Sequence, residues 1–93
     1  MKPSAYLVNT SRGPIVSEEA LLSAVEAGLI AGAAVDVYDE EPLPPAHPLR
    51  THPRILATPH IGYVTRESYE VFFRGAVESI EAWRAGDPIR LLT

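Results

Sequence analysis

The sequence contains no cysteine, which excludes a disulfide framework, cysteine zinc sites, iron–sulfur clusters and a thiol nucleophile. No uninterrupted apolar run approaches the roughly 18 residues that a bilayer-spanning helix needs. The start, Met1-Lys2-Pro3-Ser4, lacks the basic stretch and apolar centre of a signal peptide. These absences predict a cytoplasmic chain with no membrane partner. Basic clusters are missing too: 8 Lys and Arg are scattered against 12 Asp and Glu, for a formal net charge of −4, which argues against a nucleic-acid partner. His47, His52 and His60 fall in a proline-broken segment where no two share a helix face, so no metal site is expected. There is no internal repeat and no low-complexity tract. What remains is an ordinary globular composition, 46% hydrophobic and 22% charged over 93 residues, sufficient for one small core.

Apolar patterning divides the chain into alternating elements. Ala5-Tyr6-Leu7-Val8 reads as a buried strand that stops at the turn formers Asn9-Thr10-Ser11-Arg12-Gly13-Pro14. Ser17 caps a helix with Glu18 and Glu19 in its first turn and an apolar stripe of Leu21, Leu22, Val25 and Leu29, with Gly28 as its stop. A second buried strand follows from Gly32 to Tyr38. Six of the nine prolines lie between Pro42 and Pro59, which predicts one long irregular connection. Ile55-Leu56-Ala57 is a third strand ending at Thr58-Pro59-His60, and Thr65 caps the longest helix, Arg66 to Ala85. There Tyr69, Phe72, Phe73, Ala76, Ile80 and Trp83 recur at helical spacing, the pattern of a core-facing stripe.

Strands alternating with helices and crossovers predict a parallel α/β sheet, in which ligands bind beyond the carboxyl ends of the strands. The polar residues following the three strands are Asn9 to Arg12, Asp36 to Glu41, and His60 with Gly62. A histidine, acids and an arginine on one edge would supply a proton carrier, a carboxylate to orient it and a guanidinium able to grip a carboxylate at two points. Each also has a structural reading: Arg12 as a surface ion pair, Asp36 as a cap for nearby backbone N–H groups, Glu41 as one of three solvated acids, His60 as a side chain bonded to backbone. Ser11 as a hydrolase nucleophile is set aside, because its surroundings are not a G-x-S-x-G elbow.

Read together, Leu7-Val8-Asn9-Thr10-Ser11-Arg12-Gly13-Pro14-Ile15-Val16, then Ala33-Ala34-Val35-Asp36-Val37-Tyr38-Asp39-Glu40-Glu41-Pro42, then Thr58-Pro59-His60-Ile61-Gly62, resemble the D-isomer-specific 2-hydroxyacid dehydrogenases, which include phosphoglycerate, glycerate/hydroxypyruvate, D-lactate and formate dehydrogenases. The resemblance covers nearly the whole chain. It implies a partial Rossmann-type, doubly wound parallel sheet of about three strands with flanking helices. It implies Arg12, Glu41 and His60 as catalytic residues: the arginine on the substrate carboxylate and keto oxygen, His60 as acid/base, Glu41 as its paired carboxylate fixing the ring tautomer. Asp36 matches the acid near the nicotinamide carboxamide, and Thr10 and Gly62 fall where the backbone lines the cofactor, NAD or NADP. The substrate implied is a 2-hydroxy or 2-keto acid.

Family members exceed three hundred residues and carry a substrate-binding domain and a G-x-G-x-x-G loop ahead of this segment, whereas the six glycines here form no G-x-G. Residues 1–93 are therefore expected to be the C-terminal portion of a nucleotide-binding domain, with the substrate domain and the pyrophosphate loop absent. On that expectation the isolated chain is inactive and binds the cofactor poorly. An uncovered sheet and helix would then make it a homo-oligomer. The alternative is a non-catalytic remnant, an oligomerisation or interaction module that keeps the fold.

Overall fold

A computed structural model describes residues 1–92. It divides into two compact units, Met1–Gly62 and Tyr63–Thr93.

The first unit is built on strands β1 (Tyr6–Asn9), β2 (Gly32–Val35) and β3 (Ile55–Ala57), all parallel and in the order β1-β2-β3. Helix α1 (Glu18–Glu26) connects the first pair of strands. Ser17 caps it, its hydroxyl accepting from the Ala20 N–H, and Glu18 and Glu19 lie in the first turn, where carboxylates oppose the unpaired N–H groups. The helix ends one turn before Leu29. Gly28 takes φ +68, and the Gly28 and Leu29 N–H groups close back on the carbonyls of Val25 and Ala24, the Schellman arrangement. Leu29 therefore leaves the predicted stripe and is exposed, while Leu21 and Val25 are buried.

Alternation along the strands sends Leu7, Ala33 and Ile55 to one face and Tyr6, Ala34 and Leu56 to the other. The first face packs with Leu21, Val25, Ile30, Val35, Tyr38 and Leu49 into the core. On the opposite face Tyr6, Val8 and Leu56 are exposed.

Two expectations need correction here. The connection from β2 to β3 is not wholly irregular: Pro48–Thr51 forms a short helix, α2, with the His47 ring accepting from the Leu49 N–H at its start. Proline at the first helical position needs no amide donor and has the right φ, so a proline-rich stretch can still begin a helix. Its Leu49 is 1% exposed, and burying that side chain holds the loop to the core. Strand β2 is also shorter than predicted, because pairing ends at Val35 while Asp36, Val37 and Tyr38 continue as a buried non-strand segment.

The second unit is dominated by α3 (Arg66–Arg84). Thr65 caps it through the Ser68 N–H, and Gly86 with Asp87 ends it in a second Schellman closure onto Trp83 and Ala82. None of its residues is buried. The stripe read as core is exposed, with Phe72 at 57%, Phe73 at 67% and Trp83 at 72%; helical period marks a face meant for covering without saying what covers it.

Candidate active site

All three polar groups meet at the carboxyl ends of the strands in the first unit. Asn9, buried at the end of β1, folds the turn that follows it: its side-chain amide donates to the Arg12 carbonyl at 2.9 Å, and its side-chain oxygen accepts from the Ser11 N–H at 3.2 Å. This Asx-type turn presents Arg12. Gly13 then lies against the Tyr38–Asp39 backbone so closely that any Cβ there would overlap the Tyr38 carbonyl group. The Arg12 guanidinium bonds its own loop, donating to the Ser11 carbonyl at 2.7 Å. It makes no ion pair with Glu41, but its charge helps to hold the Glu41 carboxyl ionised.

Glu41 and His60 form the centre of the site. Glu41 Oε2 lies 2.6 Å from His60 Nδ1, and Glu41 Oε1 accepts the Tyr38 backbone N–H at 3.0 Å. The bond to His60 first, then that from the Tyr38 N–H, lowers the Glu41 pKa below its usual range. Both side chains remain about one-third exposed, 34% for His60 and 36% for Glu41, so the pair is open to a ligand. Of the three consecutive acids, Asp39 and Glu40 are exposed and Glu41 turns back to the histidine.

Asp36 is 5% exposed, and both of its carboxylate oxygens accept hydrogen bonds. Its Oδ1 accepts from the Thr58 hydroxyl and from the Ile61 N–H at 3.0 Å, and its Oδ2 accepts from the Gly62 N–H at 2.8 Å. Burial pushes its pKa up, but these bonds and the nearby His60 outweigh burial and leave it below the ordinary aspartate value. Between the anchored residues His60 adopts φ +56, a left-handed conformation that a non-glycine residue keeps only when its surroundings impose it. The backbone-capping reading of Asp36 thus describes what its carboxylate does in this fold.

Gly62 matters for the same contact: its Cβ would stand 3.0 Å from Asp36 Oδ2. Thr10 is exposed in the turn after β1. A cavity of about 440 Å³ opens beside the pair, lined among others by Tyr38, Glu41, Leu43, Arg50, Thr58 and His60. Sequence patterning missed Tyr38 and Arg50. The first looked like the end of an apolar strand, and the second sat within a presumed irregular loop.

Residues 1–62 match the family described as D-isomer specific 2-hydroxyacid dehydrogenase, NAD binding domain. The chain belongs to this family. It is 45% identical over 87 residues to a glyoxylate reductase of Thermofilum pendens, covering 94% of this chain and 26% of that protein. Among solved structures, a D-lactate dehydrogenase of Treponema pallidum, TP0037, superposes with a TM-score of 0.85 at 32% identity, over 97% of this chain and 31% of the other. A D-isomer specific 2-hydroxyacid dehydrogenase of Xanthobacter autotrophicus Py2, in complex with NADPH and MES, gives a TM-score of 0.77 at 36% identity, over 97% and 36%. The three strands, their helices and the long last helix are thus a portion of a Rossmann-type dehydrogenase domain, and the chain spans about a quarter to a third of the relatives it matches.

Proposed function

We propose that this chain carries the catalytic half-site of an NAD(P)-dependent oxidoreductase acting on D-2-hydroxy or 2-keto acids, and that it corresponds to the C-terminal portion of the nucleotide-binding domain. The observation that carries this reading is the His60–Glu41 pair, 2.6 Å apart on the same sheet edge as Arg12. With Nδ1 committed to Glu41, Nε2 is the ring nitrogen placed to exchange a proton with a substrate oxygen. In the reducing direction His60 gives that proton to the keto oxygen, Glu41 steadies the resulting imidazole, and the ring regains a proton from solvent. Arg12, released from the Ser11 carbonyl, takes the substrate carboxylate through two parallel N–H donors.

When bound, a nicotinamide cofactor would supply hydride-transfer chemistry at the substrate C2. The residues present suit its nicotinamide end only. Asp36 Oδ2 accepts a single N–H and so keeps an acceptor lone pair for an amide donor, while Thr10 and the side-chain-free Gly62 border the same edge. No G-x-G stands in the sequence to cradle the pyrophosphate. The exposed stripe of α3 and the exposed face of the sheet further support a homo-oligomeric chain.

A chimera tests the reading. The matching segment of the Thermofilum glyoxylate reductase is replaced by this chain, and NAD(P)H oxidation is followed with glyoxylate. Activity that falls by at least a hundredfold in His60→Ala is the expected result. A folded chimera that binds NAD(P)H and reduces nothing, or one whose rate is indifferent to His60, overturns it.

A further inference from the structure

Tyr38 bonds both Glu41 and the segment that leads into His60. It is 6% exposed and its ring is part of the core. Its backbone N–H donates to Glu41 Oε1 at 3.0 Å, which turns the other carboxylate oxygen toward His60. Its phenol oxygen lies 2.7 Å from the Thr58 carbonyl oxygen and 3.1 Å from that of Val35. One hydroxyl proton faces two acceptors, and the nearer belongs to the residue two positions before His60. Gly13, next to Arg12, packs on the same Tyr38 backbone. One residue of the core therefore meets the carboxylate, the root of the histidine loop and the turn that carries the arginine.

We infer that Tyr38 is a positioning residue for the His60–Glu41 pair: its hydroxyl pins the start of the His60 loop, its N–H orients Glu41, and its ring ties both to the sheet. The catalytic meaning of this role rests on the reading of His60 as the proton carrier. The loop is held from two sides, by Asp36 through Thr58 Oγ1 and the Ile61 and Gly62 N–H groups, and by Tyr38 through the Thr58 carbonyl. Asp36 grips the loop around His60, and Tyr38 fixes where that loop leaves β3. Burial first, and then the Asp36 charge, pushes the Tyr38 pKa above that of ordinary tyrosine, so the phenol remains a donor throughout the neutral range.

A purely structural role predicts lost stability and an unchanged pair; a positioning role predicts a changed pair. The test uses the 93-residue chain as wild type, Tyr38→Phe and Val25→Ala, labelled for carbon NMR of Glu41 Cδ and nitrogen NMR of the His60 ring. Tyr38→Phe keeps the ring and the N–H and removes only the hydroxyl. Val25→Ala loosens the core in α1 without touching Thr58 or Glu41. In Tyr38→Phe the Glu41 carboxyl should titrate higher, toward the ordinary range, and the His60 ring should change from one dominant Nδ1–H tautomer to a mixture. Val25→Ala should show neither change.

Identical Glu41 and His60 behaviour in wild type and Tyr38→Phe overturns the proposal. So does an equal change in Val25→Ala, because general loosening would then explain it. If Tyr38→Phe does not fold, the wild-type chain decides: a slowly exchanging Tyr38 hydroxyl proton with an NOE to Thr58 supports the role, and its absence in an otherwise dispersed spectrum overturns it. None of these readings involves turnover, so an inactive chimera beside a positive result here removes the oxidoreductase reading alone, and the reverse pairing removes the role of Tyr38 alone.

Discussion

Asp36 and Gly62 meet at a distance that leaves space for a proton and no side chain: the glycine N–H lies 2.8 Å from Oδ2, and a Cβ would stand 3.0 Å from the same oxygen. The carboxylate has little freedom to retreat, since its other oxygen is held by Thr58 and Ile61. This contact ends the loop on which His60 takes its left-handed conformation.

Gly62→Ala should therefore weaken the charged bond at Oδ2 and disturb His60 without emptying the core. The expected loss of stability is about 1.5–3 kcal/mol, the range for a hydrogen bond to a charged group. Chemical denaturation of wild type and variant measures it. A loss below about 0.5 kcal/mol would show that the loop absorbs the methyl group and that the contact does not constrain it.

Asp36→Asn carries a pH signature. The Asp36 carboxyl has a lower pKa in the folded chain than its ordinary 3.8, so the ionised group stabilises the fold above that value, and the stabilisation disappears as pH falls through the lower folded value. Asparagine does not titrate. The stability gap between wild type and variant should be constant from pH 7 to about 5 and narrow below about pH 4. Urea unfolding across a pH series provides the check. A gap that stays constant or widens on acidification contradicts the assignment of these bonds to an ionised carboxylate.

Self-association is expected from the exposed faces. Phe72, Phe73 and Trp83 on α3, and Tyr6, Val8 and Leu56 on the sheet, are all more than half exposed, and apolar area of this extent favours burial against another molecule. Light scattering over a concentration series should show dimers or larger species at tens of micromolar. The paired substitutions Phe72→Glu and Phe73→Glu should shift the distribution toward monomer. A wild-type monomer with dispersed amide resonances at that concentration contradicts this expectation.

Strand and helix order were legible because each element announces itself locally. Ser17 and Thr65 are polar caps directly before apolar periods, and Ile55-Leu56-Ala57 is an apolar run bounded by turn formers. The edge shared by Arg12, Asp36, Glu41 and His60 followed from a general property of parallel sheets. The Glu41–His60 pairing was implied by the family resemblance, but the other bonds of the site were not legible. Asp36 could cap the backbone or meet a ligand, and only the three-dimensional path of residues 58–62 shows which groups reach its oxygens. Tyr38 was hidden because an aromatic at the end of an apolar run reads as packing, and the hydroxyl's partner lies 20 residues away. Leu49 was hidden by its prolines. The stripe on α3 has the period of a core-facing surface and is exposed, in line with the expectation of an uncovered helix, since periodicity describes one surface and burial requires two.

The bonds from Asp36, Tyr38 and Glu41 to the histidine loop join residues 19 to 26 positions apart. Loops of that size close at modest entropic cost, and contacts at short separation form early. The stretch from Asp36 to Gly62 therefore has the character of a cassette, able to take its shape during synthesis as soon as those residues have left the ribosome. A cut between Glu41 and Thr58 would part the carboxylate from the histidine it meets and leave two loops with nothing to aim.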